Sequence, residues 1–330
     1  MRIAYHYGLL AGGGVERRLA DLYRHLTRRG DDVWIIGLRL DSTGRELLCW
    51  QGGVPEDRII IAPPATQFDN TFHLWSWDTL EELQPDIIDC QWCASPYKFP
   101  LPAVATVHGF IPMPPADVFQ GILFIADFIT MPTPGQRGPI RAIENWVDLG
   151  VNPFHEDLPR EGICCLGREY KAANAEKVAR AMPDTNIDCY TDAWTPDAHP
   201  DNMIYQGYGN PPKVYPEYRI VFAAALAAME AIAAGRLVIA GQPAQFMRSD
   251  YRLVTPARME EMARTLFSFN QTPKAAEPTP KQCIEEFGLA VAMDDCLKDR
   301  KAMRNYLARY HNAKTQIGLV RDFYEEVLAG

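Results

Sequence analysis

Residues 2–37 read RIAYHYGLLAGGGVERRLADLYRHLTRRGDDVWIIG. Apolar Ile3-Ala4-Tyr5 predicts a buried strand and Gly12-Gly13-Gly14 a tight turn. Val15, Leu19, Leu22 and Leu26 then fall at i, i+4, i+7 and i+11, the one-sided stripe of an amphipathic helix. Gly30 stops that helix, and Val33-Trp34-Ile35-Ile36-Gly37 is the next buried strand. Strand, crossover helix and strand of this length make a βαβ unit, and βαβ units build parallel sheets.

The alternation continues through Ile59-Ile60-Ile61, a helix around Trp77 to Leu83, Ile87-Ile88 and Ala103 to Val107. Between residues 131 and 160 it breaks. MPTPGQRGP is turn-rich and IENWVDLGVNPFHEDLP reads as an extended crossing segment. A second strand, turn and helix follow at Gly162 to Leu166, Gly167-Arg168 and Ala172 to Met182. Next come Ile187 to Tyr190, Met203 to Tyr205, Ile220 to Phe222, an Ala-rich helix within Ala223 to Gly235, and Leu237 to Ala240. The fold class predicted is α/β, with two doubly wound parallel sheets of Rossmann-like type. The domains expected are 1–150 and 151–311, with a helix over about 312–330 packing back on the first. Residues 271–282, QTPKAAEPTPKQ, read as a polar surface loop.

At 330 residues and 47% hydrophobic content the chain has room for two cores. A net charge of −9 disfavours unspecific attraction to nucleic acid or an anionic membrane. Arg17, Arg18, Arg24, Arg28 and Arg29 crowd the first helix region and are expected to form a solvated face. The first residues lack the cationic and apolar regions of a signal peptide, and the Ala-rich window 221–240 holds Glu230 and Arg236. The expectation is a cytoplasmic protein without membrane spans. Of the eight cysteines, Cys90 and Cys93 have no second Cys/His pair at ligand spacing, which predicts reduced thiols and no metal.

Four places carry candidate chemistry. Gly12, Gly13 and Gly14 lie where backbone N–H groups at a helix N-terminus could meet an anion, although no dinucleotide fingerprint is present; the turn is either ligand-facing or a plain tight connection. Arg168 and Lys171 follow the first strand of the second domain, where two cations suit a diphosphate, or form a solvated pair with Glu169. Glu230 is the only charge in AAALAAMEAIAAG, residues 223–235. If buried it needs partners such as ribose hydroxyls; otherwise it meets solvent or an arginine. Ala224, Ala225 and Leu226 lie at that helix's start, with amides available to a phosphate. His108 ends the strand Ala103 to Val107, either as a ligand-facing titratable group or as a satisfied structural histidine.

Together these stretches resemble the retaining GT-B glycosyltransferases, the large family 4-like group containing bacterial α-mannosyl- and α-glucosyltransferases. The resemblance runs in order through GGGVERRLADLYRHLTRRGDDVWIIG (12–37), ATVHG (105–109), AIENWVDLGVNPF (142–154), CLGREYK (165–171) and AAMEAIAAGRLVIA (227–240). It implies two Rossmann-like domains facing across a cleft and transfer of a sugar from a UDP- or GDP-sugar with retention, without metal or cofactor. The acceptor it leaves open: a glycan, a lipid-linked molecule or a small aglycone. It further implies that Gly13 and Gly14 lie over the diphosphate and sugar, that His108 contacts the sugar, that Arg168 and Lys171 neutralise the diphosphate, and that Glu230 binds the ribose. The chain departs from the family at Phe222, where a second sugar-binding glutamate is usual, and in the alanines that replace a G-F-G stretch. Lys171 also sits closer to Arg168 than is common, with Lys177 as the alternative. Three other functions fit the same sequence: a catalytically silent nucleotide-sugar-binding protein, a sugar-nucleotide epimerase of the same fold, and a glycosyltransferase acting on nucleic acid.

Overall fold

Two parallel sheets organise the chain. A computed structural model describes residues 1–10, 13–63, 72–91, 99, 101–108, 118–126, 135–167, 172–191, 194–241, 252–264, 279–293 and 296–330, the side chains of 72–75 and 196 excepted. The chain divides into Met1–Glu144 with Ala313–Gly330, and Asn145–Asn312.

The first unit contains β1 (Arg2–Leu10), α1 (Gly14–Thr27), β2 (Asp32–Leu40), α2 (Ser42–Arg45), β3 (Ile59–Ile61), α3 (Phe72–Leu83), β4 (Ile87–Gln91), β5 (Ala103–Val107), β6 (Gly121–Phe124) and β7 (Ile140–Ala142). Its seven strands run in the order β3-β2-β1-β4-β5-β6-β7, every described pair parallel. The order reverses between β1 and β4, because the connection from β1 goes to one side and that from β4 to the other. In open α/β sheets such a switch point, at the carboxyl ends of the strands, is where ligands bind. On α1, Leu19, Leu22 and Leu26 are buried as their spacing requires, and Gly30, at φ +87°, supplies the left-handed stop.

The second unit contains β8 (Ile163–Leu166), α4 (Ala173–Ala181), β9 (Ile187–Tyr190), β10 (Met203–Gly207), α5 (Pro211–Val214), β11 (Ile220–Ala223), α6 (Leu226–Ala233), β12 (Leu237–Ala240), β13 (Arg252–Leu253), α7 (Met259–Arg264), α8 (Pro280–Ala292) and α9 (Leu297–Tyr310). The strand order is β10-β9-β8-β11-β12-β13, parallel except for β13. Its switch point lies between β8 and β11. Both faces of the sheet are covered: α4 and α8 share one apolar cluster with Cys165, Ile187, Phe222 and Ile239, while α6 and α9 share the other with Cys164, Val221, Ala223 and Val238. The strands are therefore apolar without alternation, as buried parallel strands are.

The last helix, α10 (Ala313–Ala329), belongs to the first unit. Arg321 on it pairs with Asp31 at 2.9 Å, and Tyr324 donates to Asp89. Within the second unit, the segments leading into and out of it run side by side: the amide of Val147 donates to His311 at 2.9 Å, and the His311 ring meets the Asn145 carbonyl at 3.0 Å.

Three details differ from the sequence reading. The Ala-rich helix begins at Leu226, since Ala223 ends β11 and Ala224 and Ala225 form the turn. Residues 279–282 are a helix start, with Thr279 and Gln282 making a reciprocal capping box around Pro280. Arg18 is not part of a solvated face: it is 2% exposed, and the neighbouring Arg24 pairs with Asp21 and donates to the Gly52 carbonyl at 3.1 Å.

Candidate functional site

In the second unit the turn from β11 into α6 is built from alanine. Ala225, the residue before the helix, sits at φ +54°, ψ −131°, a region that L side chains enter only under strain. Ala224 beside it is buried. The turn aims the first amides of α6, those of Leu226 and Ala227, out of the helix N-terminus toward the switch point, where they can meet an anion.

Glu230 stands one turn further along α6 and is 7% exposed. This settles one choice the sequence left open, because its carboxylate does not lie on a solvated helix face. The Tyr215 hydroxyl is shared between the Ala227 carbonyl at 3.0 Å and Glu230 Oε2 at 3.4 Å. A carboxylate can accept about four hydrogen bonds, and polyol donors are among the partners it suits.

The other end of α6 is held by three arginines, Arg236 and Arg300 buried and Arg304 half-buried. Arg236 donates to the carbonyls of His155 and Asp157, each at 3.0 Å. Arg300 donates to His155 at 3.1 Å and to Gly235 at 3.0 Å, and Arg304 donates to Asn152 at 2.8 Å and to Ala233. These cations satisfy carbonyls at the negative end of the helix and tie residues 152–157 to it. Gly235, at φ +80°, lets Phe154 approach to where a Cβ would lie 2.6 Å from the ring. Glu230 thus rides on a helix fixed at its far end.

Phe222 is a core residue. It is 3% exposed, stacks on Phe287 with ring centroids 6.2 Å apart, and faces the α4/α8 side of the sheet, opposite α6. Arg168 and Lys171 lie outside the described residues, and so does Gly12. Gly167, which precedes Arg168 at the end of β8, has φ +146°. Lys177 is on α4.

In the first unit Gly13 precedes α1 and Gly14 is its first residue. A Cβ added at Gly14 would meet nothing within 4 Å, and its φ is not positive. Neither packing nor backbone geometry demands glycine there. What a missing side chain does leave is open approach to the helix N-terminus.

At the carboxyl ends of β4 and β5, His108 is half-buried, and its Nε2 lies 2.7 Å from Gln91 Oε1. Below this pair is a polar cluster the sequence reading missed. Asp89 accepts from Thr106 at 2.6 Å and from the Tyr324 hydroxyl, which also reaches Tyr5 at 3.3 Å. Burial raises the Asp89 carboxyl to about 6 against the pull of these donors and of Arg18. Burial likewise lowers Arg18 to about 10, with Asp89 opposing. His108 is driven well below the usual imidazole range by burial and then by the Arg18 charge, so the ring is neutral. The only signal for this cluster in the sequence is a pair of polar residues, Asp89 and Gln91, within a buried strand.

Among the described residues, no three His, Cys, Asp or Glu side chains are grouped to hold a metal ion, and no helix is long and apolar enough to cross a membrane. The described cysteines are free thiols, and Cys93 lies outside them.

Residues 12–149 match the family model described as Glycosyltransferase Family 4. No curated protein matches the chain. Among solved structures, it is similar to a variant of S. aureus TarM in complex with fondaparinux, alpha-GlcNAc-glycerol and UDP, with a TM-score of 0.64 at 11% identity, covering 98% of this chain and 100% of that one. It is also similar to the glycosyltransferase VinC in complex with DTDP, with a TM-score of 0.57 at 11% identity, covering 98% and 100%. A third likeness is to the UDP-GlcNAc 2-epimerase of Neisseria meningitidis bound to UDP-GlcNAc, with a TM-score of 0.56 at 10% identity, covering 99% and 100%. At such identities the likeness speaks for the fold, which is the GT-B fold of two Rossmann-like α/β domains.

Proposed function

We propose that this chain is a retaining glycosyltransferase that moves a hexose from a UDP- or GDP-sugar to a glycan, lipid-linked or small-molecule acceptor without a metal. The observation that carries the reading is Glu230: a buried carboxylate one turn behind a strained turn at the switch point of the second unit. The family match over most of the first unit supports it.

In this reading Glu230 receives the ribose hydroxyls, and the amides at the start of α6 face the diphosphate. Arg168 and Lys171 stabilise the charge that grows on the diphosphate as the glycosidic bond breaks, a role fixed cations and helix amides fill by electrostatics alone. Gly13 and Gly14 admit the ligand to the N-terminus of α1, and His108 contacts the sugar. The departing phosphate takes the acceptor proton on the same face, so no side chain serves as nucleophile. Phe222 being a core residue, the hydroxyls that a glutamate there would have met fall to backbone amides or to other side chains.

The test is incubation with a panel of UDP- and GDP-sugars, following nucleotide release. Slow hydrolysis of one donor, with the α-anomer released first, is the expected result. The solved epimerase of the same fold gives a second reading its footing: interconversion of UDP-sugars without an acceptor would put it first, and tight binding with no turnover would point to a silent binding protein.

A further inference from the structure

We infer that Asn174, on the first turn of α4, is a ligand-binding residue: its side-chain amide takes a neutral group that offers a donor and an acceptor side by side. That the group is a sugar hydroxyl or the amide edge of a nucleobase rests on the reading above. The place of the residue rests on the geometry alone.

The buried residues of α4 are Asn174, Ala175, Val178 and Ala179, at i, i+1, i+4 and i+5, a single stripe along the helix. Ala175, Val178 and Ala179 pack in one cluster with Cys165, Ile187 and Phe222, so the stripe faces the sheet. Because β8 and β9 are parallel, α4 starts from the carboxyl end of β8 and runs back along the sheet. Asn174 heads the stripe, and helical side chains lean toward the helix N-terminus. Its amide is thereby set at the carboxyl edge of the sheet, beside the end of β8 at the switch point. There Asn174 is 2% exposed, and neither its Nδ2 nor its Oδ1 has a hydrogen-bond partner. An amide buried in this way is destabilising, whereas an apolar side chain would continue the stripe as its three neighbours do. The helix start carries no side-chain cap either: Ala172 precedes it, and Glu176 of the first turn pairs with Arg180 at 2.6 Å. The fold makes no hydrogen bond to the amide; a ligand supplies it.

Chemistry narrows the ligand. An amide presents two N–H donors and an acceptor oxygen. A phosphate oxygen only accepts, so it leaves Oδ1 unpaired and is repelled by it. A hydroxyl, or the N–H and C=O edge of a uracil or guanine, satisfies both ends. Glu230 lies on α6, which covers the opposite face of the same sheet, and the strands preceding the two helices, β8 and β11, are neighbours. With the ribose on Glu230, a nucleotide-sugar has its base at one end and its sugar at the other. Asn174 meets one of those ends and takes no part in holding the diphosphate between them. Rotamer changes on binding are common, and such a change uncovers the amide. In the dry surroundings it then occupies, the hydrogen bond counts for more than it would in water.

The experiment is a calorimetric titration of the full chain, as wild type, Asn174→Leu and Glu230→Gln, with UDP, GDP and their sugars, together with the thermal midpoint of each protein without ligand. Free of ligand, Asn174→Leu should melt about 2–4 °C above the wild type, since an unpaired amide leaves the core. Its affinity should nonetheless fall about tenfold, the worth of one such hydrogen bond. A fall for nucleotide and nucleotide-sugar alike supports the inference with the base as partner; a fall for the nucleotide-sugar alone supports it with the sugar. Unchanged affinity for both overturns it, and so does a lowered midpoint in folded Asn174→Leu, which would assign the amide to the fold. Should Asn174→Leu not fold, Asn174→Ala, which removes the amide without adding bulk, takes over the affinity measurement with the same outcomes. Binding weakened by Glu230→Gln but untouched by Asn174→Leu refutes the role of Asn174 alone. A wild type that binds no nucleotide and no nucleotide-sugar refutes the glycosyltransferase reading as well.

Discussion

Single residues carry the sharpest signals in the second unit. Ala225 holds a conformation that costs of order 1–3 kcal/mol for a residue with a Cβ. Ala225→Gly relieves this and gives back part of it through the more flexible unfolded chain. The variant should therefore be about 1 kcal/mol more stable by denaturant midpoint, and a lower midpoint would show that the turn is unstrained. Gly14 offers the converse case. With open space around its missing Cβ, Gly14→Ala should leave stability equal or improve it by up to about 1 kcal/mol, since alanine is the better helix former. Nucleotide-sugar affinity should fall if ligands approach there. A loss of stability with affinity intact would make Gly14 a structural glycine after all.

At the scale of elements, α10 and β4 are joined through a buried carboxylate, and this has a pH signature. Asp89 is raised from 3.8 to about 6 in the folded state, which therefore holds the proton more tightly than the unfolded chain does. Its contribution to stability is present below about pH 4 and is lost as pH rises through about 6. Asp89→Asn cannot titrate, so it should gain on the wild type by about 1–3 kcal/mol between pH 4 and pH 7, at about 1.4 kcal/mol per pKa unit. Urea unfolding of both proteins at those two pH values measures it, and a constant difference would mean that Asp89 has an ordinary pKa. None of this was legible in advance. Tyr324 and Asp89 are separated by 235 positions, and Arg18 looks in sequence like one more arginine of a basic helix; only packing reveals that it is buried. The start of α6 was misread for a local reason. Alanine is the strongest helix former, so nothing in the run 223–225 announced a strand end and a turn.

For the whole molecule, β/α alternation was enough to read two parallel sheets, because buried parallel strands and one-sided helices leave unambiguous apolar patterns at Ile35-Ile36, Ile87-Ile88 and Val238-Ile239. Strand order was not readable, yet it is the order that places the ends of β8 and β11 together and gives Glu230 its meaning. The carboxylate itself was legible as the only charge in an alanine-rich helix; its burial and its Tyr215 partner were not. The central claim is that this carboxylate belongs to a nucleotide-sugar site, and a thermal-shift titration with UDP, GDP and their sugars tests it most directly. One nucleotide should stabilise the wild type, by about 2.7 kcal/mol at a hundredfold excess over Kd. Glu230→Gln, which preserves the packing, should weaken that nucleotide about ten- to a hundredfold, the cost of losing charge-assisted hydrogen bonds. No shift with any nucleotide, or an equal shift in Glu230→Gln, would contradict the account.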